Sequence, residues 1–228
     1  MHLIDLNATM EDGMNKKEIE FEQGPDLRVR LNPKALSWDL FLFGEVEPRR
    51  VAELIQHMLV LDATDEKRPI NLLLCSPGGH CSAGYALIDV ITSMRHVVRT
   101  IALGEVCSMG SLIFISGTPG QRYMGSRTLC LFHPISDSVA DYGSFIKDRV
   151  KSLEQSERFS EELLKSRTGL TSAMIDKANH GELWLDAGEC LKYKVADTII
   201  TDNEVIAQMY GAMVKERAKV APKRNKKK

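Results

Sequence analysis

Between residues 40 and 132, apolar runs of strand length alternate with segments whose apolar residues recur at helical spacing. This alternation restricts the chain to an α/β fold with a largely parallel sheet. Leu40-Phe41-Leu42-Phe43 reads as a strand ending at Gly44. Pro48 to Leu61 reads as a helix, with Pro48 in its first turn and Val51, Leu54, Ile55 and Met58 on one face. Ile70 to Leu74 is a nearly continuous apolar run, as in a strand covered on both faces. A helix over Ser82–Met94, a strand over Val97–Leu103, an apolar helix over Ser108–Ser116 and a strand over Thr128–Phe132 follow. The pattern then changes. Asp141 to Arg167 is a long polar helix with sparse apolar positions, about 40 Å at ~1.5 Å per residue. It covers only part of itself with its own domain, which points to a neighbouring subunit; the bland alternative is a surface helix. A short helix from Thr171, a strand at Leu183–Leu185, a helix from Ala187 and a strand at Thr198–Ile200 complete the domain.

At 228 residues the chain suits one domain with a sizeable core. Residues 1–26 show no clear periodicity and read as an N-terminal arm, ordered only when a partner chain holds it. Residues 27–202 form the domain. Residues 203–228 form a C-terminal extension whose last fourteen positions hold eight Lys/Arg and one acid, Glu216. The remainder carries 22 basic and 30 acidic residues. An acidic body with a basic, solvated tail is not the footprint of a nucleic-acid binder. Cys75, Cys81, Cys107, Cys130 and Cys190 are odd in number and match no zinc spacing, so they read as free thiols in a reducing compartment. Neither a secretory signal nor a membrane span is visible, and the expected setting is the cytoplasm.

Three segments carry chemistry. Ser76-Pro77-Gly78-Gly79 follows a buried strand and precedes a helix, where two glycines free the backbone to present an N–H to a substrate oxygen. A plain turn would use the same residues. Gly104-Glu105-Val106-Cys107-Ser108-Met109-Gly110-Ser111 also joins a strand to a helix. A serine there exposes its hydroxyl, and the next N–H lies where an oxyanion forms. The bland alternative is an N-cap serine. Leu131-Phe132-His133-Pro134 places an imidazole at a strand end within reach of Ser108, although a lone histidine is commonly structural. His80 and His180 flank candidate loops, while His2, His57 and His96 lie on the arm or on helix faces and ends.

In this order and spacing the three segments resemble the ClpP family, the proteolytic subunits of ATP-dependent Clp proteases, from about Leu27 to Ile200. The resemblance implies a ClpP/crotonase-like fold whose long protruding handle helix, Asp141–Arg167, contacts an opposite ring. It implies Ser108 as nucleophile, His133 as general base, and oxyanion N–H groups from Gly79 and Met109. Where the family usually has the triad aspartate, counting from His133 to the strand at Leu183 places Glu182. Asp176 and Asp186 are fallback positions, and a two-residue pair is a further alternative. Gly181 stands where an arginine of an inter-ring ion pair is usual. The segment Ile135-Ser136-Asp137-Ser138-Val139 lacks the family's glycines. Asn71 and Leu73 stand where tyrosines often line the pocket for the ATPase, so docking to a standard partner is an open question.

The implied function is a serine endopeptidase subunit that hydrolyses unfolded polypeptides. It would work in a homo-oligomer, a heptameric ring standing alone or as two stacked rings, fed by a Clp-type AAA+ ATPase. No metal or organic cofactor is implied, and no Walker A sequence is present. The alternatives are a catalytically silent ring subunit and, ranked low, an acyl-CoA enzyme of the same fold.

Overall fold

The computed structural model describes residues 19–23, 27–31, 37–64, 67–136 and 143–201. The basic tail, most of the arm and Asp137–Val139 lie outside them. The central sheet has seven strands, in the order β3 (Asp39–Phe43), β4 (Ile70–Ser76), β5 (Val98–Cys107), β6 (Arg122–Gly125), β9 (Thr198–Ile200), all parallel. Strand β5 is long enough to serve two neighbours. Its first half, Thr100–Ala102, pairs with β6, and its last three residues, Glu105–Cys107, pair in parallel with β7 (Leu129–Phe132). Strand β8 (Leu183–Leu185) adds antiparallel to β7. This second branch carries the chain to the site.

Helices α1 (Pro48–Asp62) and α2 (Cys81–Ser93) cover one face of the sheet, α1 beginning with proline at its first turn. Leu40, Leu42, Leu72, Leu74, Val98 and Ala102 join Val51, Leu54, Met58, Leu61, Leu87 and Ile91 in one core. Helix α3 (Met109–Ile115) is buried at every residue; its sequence is apolar all round except for Ser111, whose hydroxyl is hydrogen-bonded. The α/β expectation, with a largely parallel sheet, therefore holds. Strand β6 has no counterpart in the sequence reading. It is four residues long, contains arginine and glycine, and is held by pairing on both sides rather than by propensity.

The last part of the segment read as an arm contributes β1 (Ile19–Gln23), which pairs antiparallel with β2 (Leu27–Leu31), the first residues of the expected domain. The signal was present. Apolar residues alternate with acids in the first strand and with arginines in the second, and the register sets Glu20 opposite Arg30 and Glu22 opposite Arg28.

Helix α4 (Gly143–Arg167) is a single run of 25 residues. It is tied down toward its C-terminal end. The Tyr85 hydroxyl donates to the Ser156 carbonyl (2.7 Å) and lies 2.8 Å from Ser160 Oγ, Phe159 meets the Tyr85 ring edge-on, and Leu164 is buried. From Lys147 to Ser152 every side chain is exposed. Helices α5 (Ser172–His180) and α6 (Ala187–Lys192) return the chain to β9. Arg122 clamps this return: its guanidinium donates to both carboxylate oxygens of Asp197 (2.6 and 2.8 Å) and to the Arg167 carbonyl (2.5 Å). Asn71 is buried rather than displayed. It donates to the Asp39 carboxylate at 2.7 Å, the residue opposite it in register, so it does not make the outer surface of β4 polar. Among the described residues, no helix is long and apolar enough to cross a membrane.

Candidate active site

Ser108 sits one residue beyond β5 and immediately before α3, with φ 54° and ψ −125°. A side chain other than glycine adopts that backbone rarely, and such strain persists only where its surroundings enforce it. The enforcement is visible. Ser108 N–H donates to the Leu131 carbonyl (2.9 Å), and the buried Ser111 hydroxyl is shared between the carbonyls of Ser108 (2.6 Å) and Leu131 (2.7 Å). The N-cap alternative fails, because the Ser108 hydroxyl makes no capping hydrogen bond although the residue occupies the cap position. The sharp strand-to-helix turn instead half-exposes the hydroxyl.

The loop after β4 packs against this turn. Gly78 and Gly79 both have positive φ, +102° and +141°. A Cβ on Gly78 would stand 2.6 Å from Ser108 Cβ and 3.1 Å from its Oγ, so only glycine lets the loop approach so closely. Ser76, buried, steadies the loop by accepting from Gly78 N–H at 3.1 Å. Val46 N–H donates to the Gly78 carbonyl and His80 N–H donates to the Val46 carbonyl, each at 2.8 Å. In a parallel ladder the residue between those two, Gly79, turns its own N–H and C=O away from Val46. Met109 opens α3, so its N–H is one of the unpaired amides of a helix start. Its side chain is buried against Gly84 of α2, where a Cβ would lie 2.1 Å from Met109 Cγ.

The register of β5 and β7 pairs Cys107 with Leu131. Ser108 and His133 each follow the last residues of these neighbouring parallel strands and emerge at the same end of the sheet, both half-buried. The structure thus brings the two together, with no hydrogen bond between Ser108 Oγ and the imidazole. Across the antiparallel pair, Phe132 faces Leu183, so the next step sets Glu182 beside His133. The Glu182 carboxylate, however, accepts from the Trp184 indole N–H at 2.8 Å. The fallback carboxylates have other work. Asp186 caps α6 in a reciprocal box with Glu189, and Asp176 pairs with His180.

Competing groups are likewise engaged. His80 caps α2, accepting from Ala83 N–H, and His96 contacts Asp62 at 2.9 Å. Burial, reinforced by Glu105, pushes the Cys107 thiol up to about 11, which removes it as a nucleophile near neutral pH. Clefts of about 520 and 340 Å³ lie elsewhere. The first is walled by Lys67, Arg68, Arg95 and Arg99 at the opposite ends of β4 and β5, the second by Asp39, Arg50 and His57 beside β3.

Comparison with known proteins adds the following. The family model described as Clp protease matches residues 32–203. The chain is 34% identical over 169 residues to the ATP-dependent Clp protease proteolytic subunit of Streptococcus mutans, covering 73% of this chain and 86% of that protein. It is 30% identical over 168 residues to ATP-dependent Clp protease proteolytic subunit 3 of Rhodococcus jostii, covering 74% and 83%. Among solved structures, a ClpP1 mutant from Listeria monocytogenes matches with a TM-score of 0.65 and 22% identity, over 73% of this chain and 92% of that one, which is a likeness of fold.

Proposed function

Because this chain belongs to the Clp protease family, we propose that it is a serine endopeptidase subunit acting on unfolded polypeptides. Ser108 Oγ attacks the carbonyl carbon. His133 takes the hydroxyl proton and returns it to the leaving amine, and water then releases the acyl group by the same route. The N–H groups of Gly79 and Met109 hold the oxyanion. Losing one such donor costs typically ~2.7–4 kcal/mol of barrier. The observation that carries this reading is the Ser108 backbone. A strained, non-glycine φ of 54° is held by buried hydrogen bonds, yet the hydroxyl serves no structural bond. An extended substrate adds a strand beside the sheet edge near Ser76–Gly79, which gives main-chain affinity with little sequence preference.

The reading extends to assembly and to the third residue. The subunit works in a heptameric ring, alone or as two stacked rings, fed by a Clp-type AAA+ ATPase in the cytoplasm, and α4 is its contact to an opposite ring. Glu182 orients His133. The domain spans 27–202, flanked by the arm and the basic C-terminal extension.

A fluorophosphonate probe tests the chemistry. It is expected to label the wild type at Ser108 and to leave Ser108→Ala unlabelled. A second reading, a silent ring subunit, is favoured by one observation: the Glu182 carboxylate is bonded to Trp184 rather than to His133. A wild type that stays unlabelled from mildly acidic to mildly basic pH would select that reading. Native mass spectrometry tests the ring; a monomer at micromolar concentration would refute it.

A further inference from the structure

The antiparallel pairing of β7 with β8 places residues of the two strands on shared faces. Trp184 stands opposite Leu131, and Leu183 opposite Phe132. Phe132 and Leu183 are buried in the core. Strand alternation puts Leu131, His133, Glu182 and Trp184 on the other face, with Glu182 the cross-strand neighbour of His133. Glu182 is an exposed, rotamer-rich side chain, and holding it in one place costs conformational entropy. One directional contact holds it: Trp184 Nε1 donates to Glu182 Oε2 at 2.8 Å. An indole nitrogen is donor only, so this bond forms with the carboxylate as acceptor and leaves Oε1 unused. Trp184 is itself 45% exposed, so burial does not explain a tryptophan there.

We propose that Trp184 is a positioning residue, whose indole N–H fixes one oxygen of Glu182 so that the other is presented to the His133 ring. This rests on the reading that Glu182 orients His133. The glutamate is one methylene longer than the family's usual aspartate, and the indole supplies the restraint that the longer chain lacks.

The test is a double-mutant cycle in the full-length protein, read as kcat and KM on a fluorogenic peptide and as the rate of Ser108 labelling by a fluorophosphonate. Trp184→Phe keeps an aromatic ring and removes the N–H. The expected result is a fall in kcat of about three- to tenfold with KM unchanged, as for loss of one charge-assisted hydrogen bond acting on the chemical step. Glu182→Ala should lower kcat at least as far, and adding Trp184→Phe to it should change nothing more. A merely structural role predicts additive losses, and that result overturns the inference. So does an unchanged or a faster Trp184→Phe enzyme; the faster one would mean that the indole draws Glu182 away from His133. If Glu182→Ala alone reacts at the wild-type rate, or the wild type does not react, Glu182 has no part in the chemistry and both readings fall. If Glu182→Ala is slow and Trp184→Phe is not, the role of Glu182 stands and only that of Trp184 fails. Should Trp184→Phe melt early, a benzothiophene analogue of tryptophan at position 184 keeps the ring shape without the N–H and must give the same kcat loss.

Discussion

Replacing Gly78 with alanine separates two roles that the glycine fills at once. Its φ of +102° is unfavourable for alanine, a strain of order 1–3 kcal/mol. The added methyl would also stand 2.6 Å from Ser108 Cβ, against an ordinary carbon contact of about 3.5–4.0 Å, so one of the two backbones must yield by about 1 Å. A displacement of that size at a reacting group costs about 10²-fold in rate, or ~2.7 kcal/mol of barrier. Gly120 provides the control. Its φ is +81°, but a Cβ there meets nothing within 4 Å, and it lies in the Thr118–Gln121 turn away from Ser108. Gly120→Ala should therefore lower the thermal midpoint by the φ strain alone, and Gly78→Ala by at least as much. Only Gly78→Ala should slow fluorophosphonate labelling of Ser108, by about two orders of magnitude. Equal labelling by both variants, or a Gly78→Ala enzyme that labels like the wild type, would refute the argument that this loop sets the position of the nucleophile.

Ser111→Ala removes the buried hydroxyl shared by the Ser108 and Leu131 carbonyls. It should destabilise the fold by about 1–3 kcal/mol in urea titration and slow Ser108 labelling, because the strained turn loses its tie to β7; unchanged labelling would mean that the other bonds suffice. Asp197→Asn weakens the part-buried pair with Arg122 and should cost about 1–3 kcal/mol at neutral pH. Burial alone would raise the Asp197 pKa, but hydrogen bonds from Arg122 outweigh it and hold it below the usual carboxylate value. The stability it supplies is therefore present above about pH 4 and is lost as pH falls through the lower folded-state value. The gap in unfolding midpoint between wild type and Asp197→Asn should narrow below about pH 4; a gap constant from pH 7 to pH 3 would assign the stabilisation to shape rather than charge.

Elements whose apolar residues follow a period were legible in the sequence. The bounds of β8 and β9 match the reading residue for residue, and α1 and α2 differ from it by single residues at their ends. What escaped was set by partners distant in the chain. Strand β6 is a strand because β5 and β9 flank it, and its Arg122 is buried because Asp197 waits 75 residues away. The β1–β2 pair escaped for a different reason. Its alternation was in plain view, but Gly24 and Pro25, which follow the first strand in sequence, read as the mark of an irregular arm.

Within the site, sequence order puts Ser108 and His133 just past strand ends, and the ends of neighbouring parallel strands meet in space. Counting along the chain also put Glu182 beside His133, and the β7–β8 register agrees. Order and register fix only where a Cα sits, however. The hydrogen bond of a long exposed carboxylate is decided by side-chain competition, and here a residue two positions away takes part in it. Trp184 reads as one letter of a short strand because nothing in a period-2 pattern distinguishes a tryptophan that fills space from one that donates a hydrogen bond. The same limit applies to Ser108: the motif pointed to an exposed hydroxyl, but only the left-handed backbone and the unused cap bond separate this turn from an ordinary helix start.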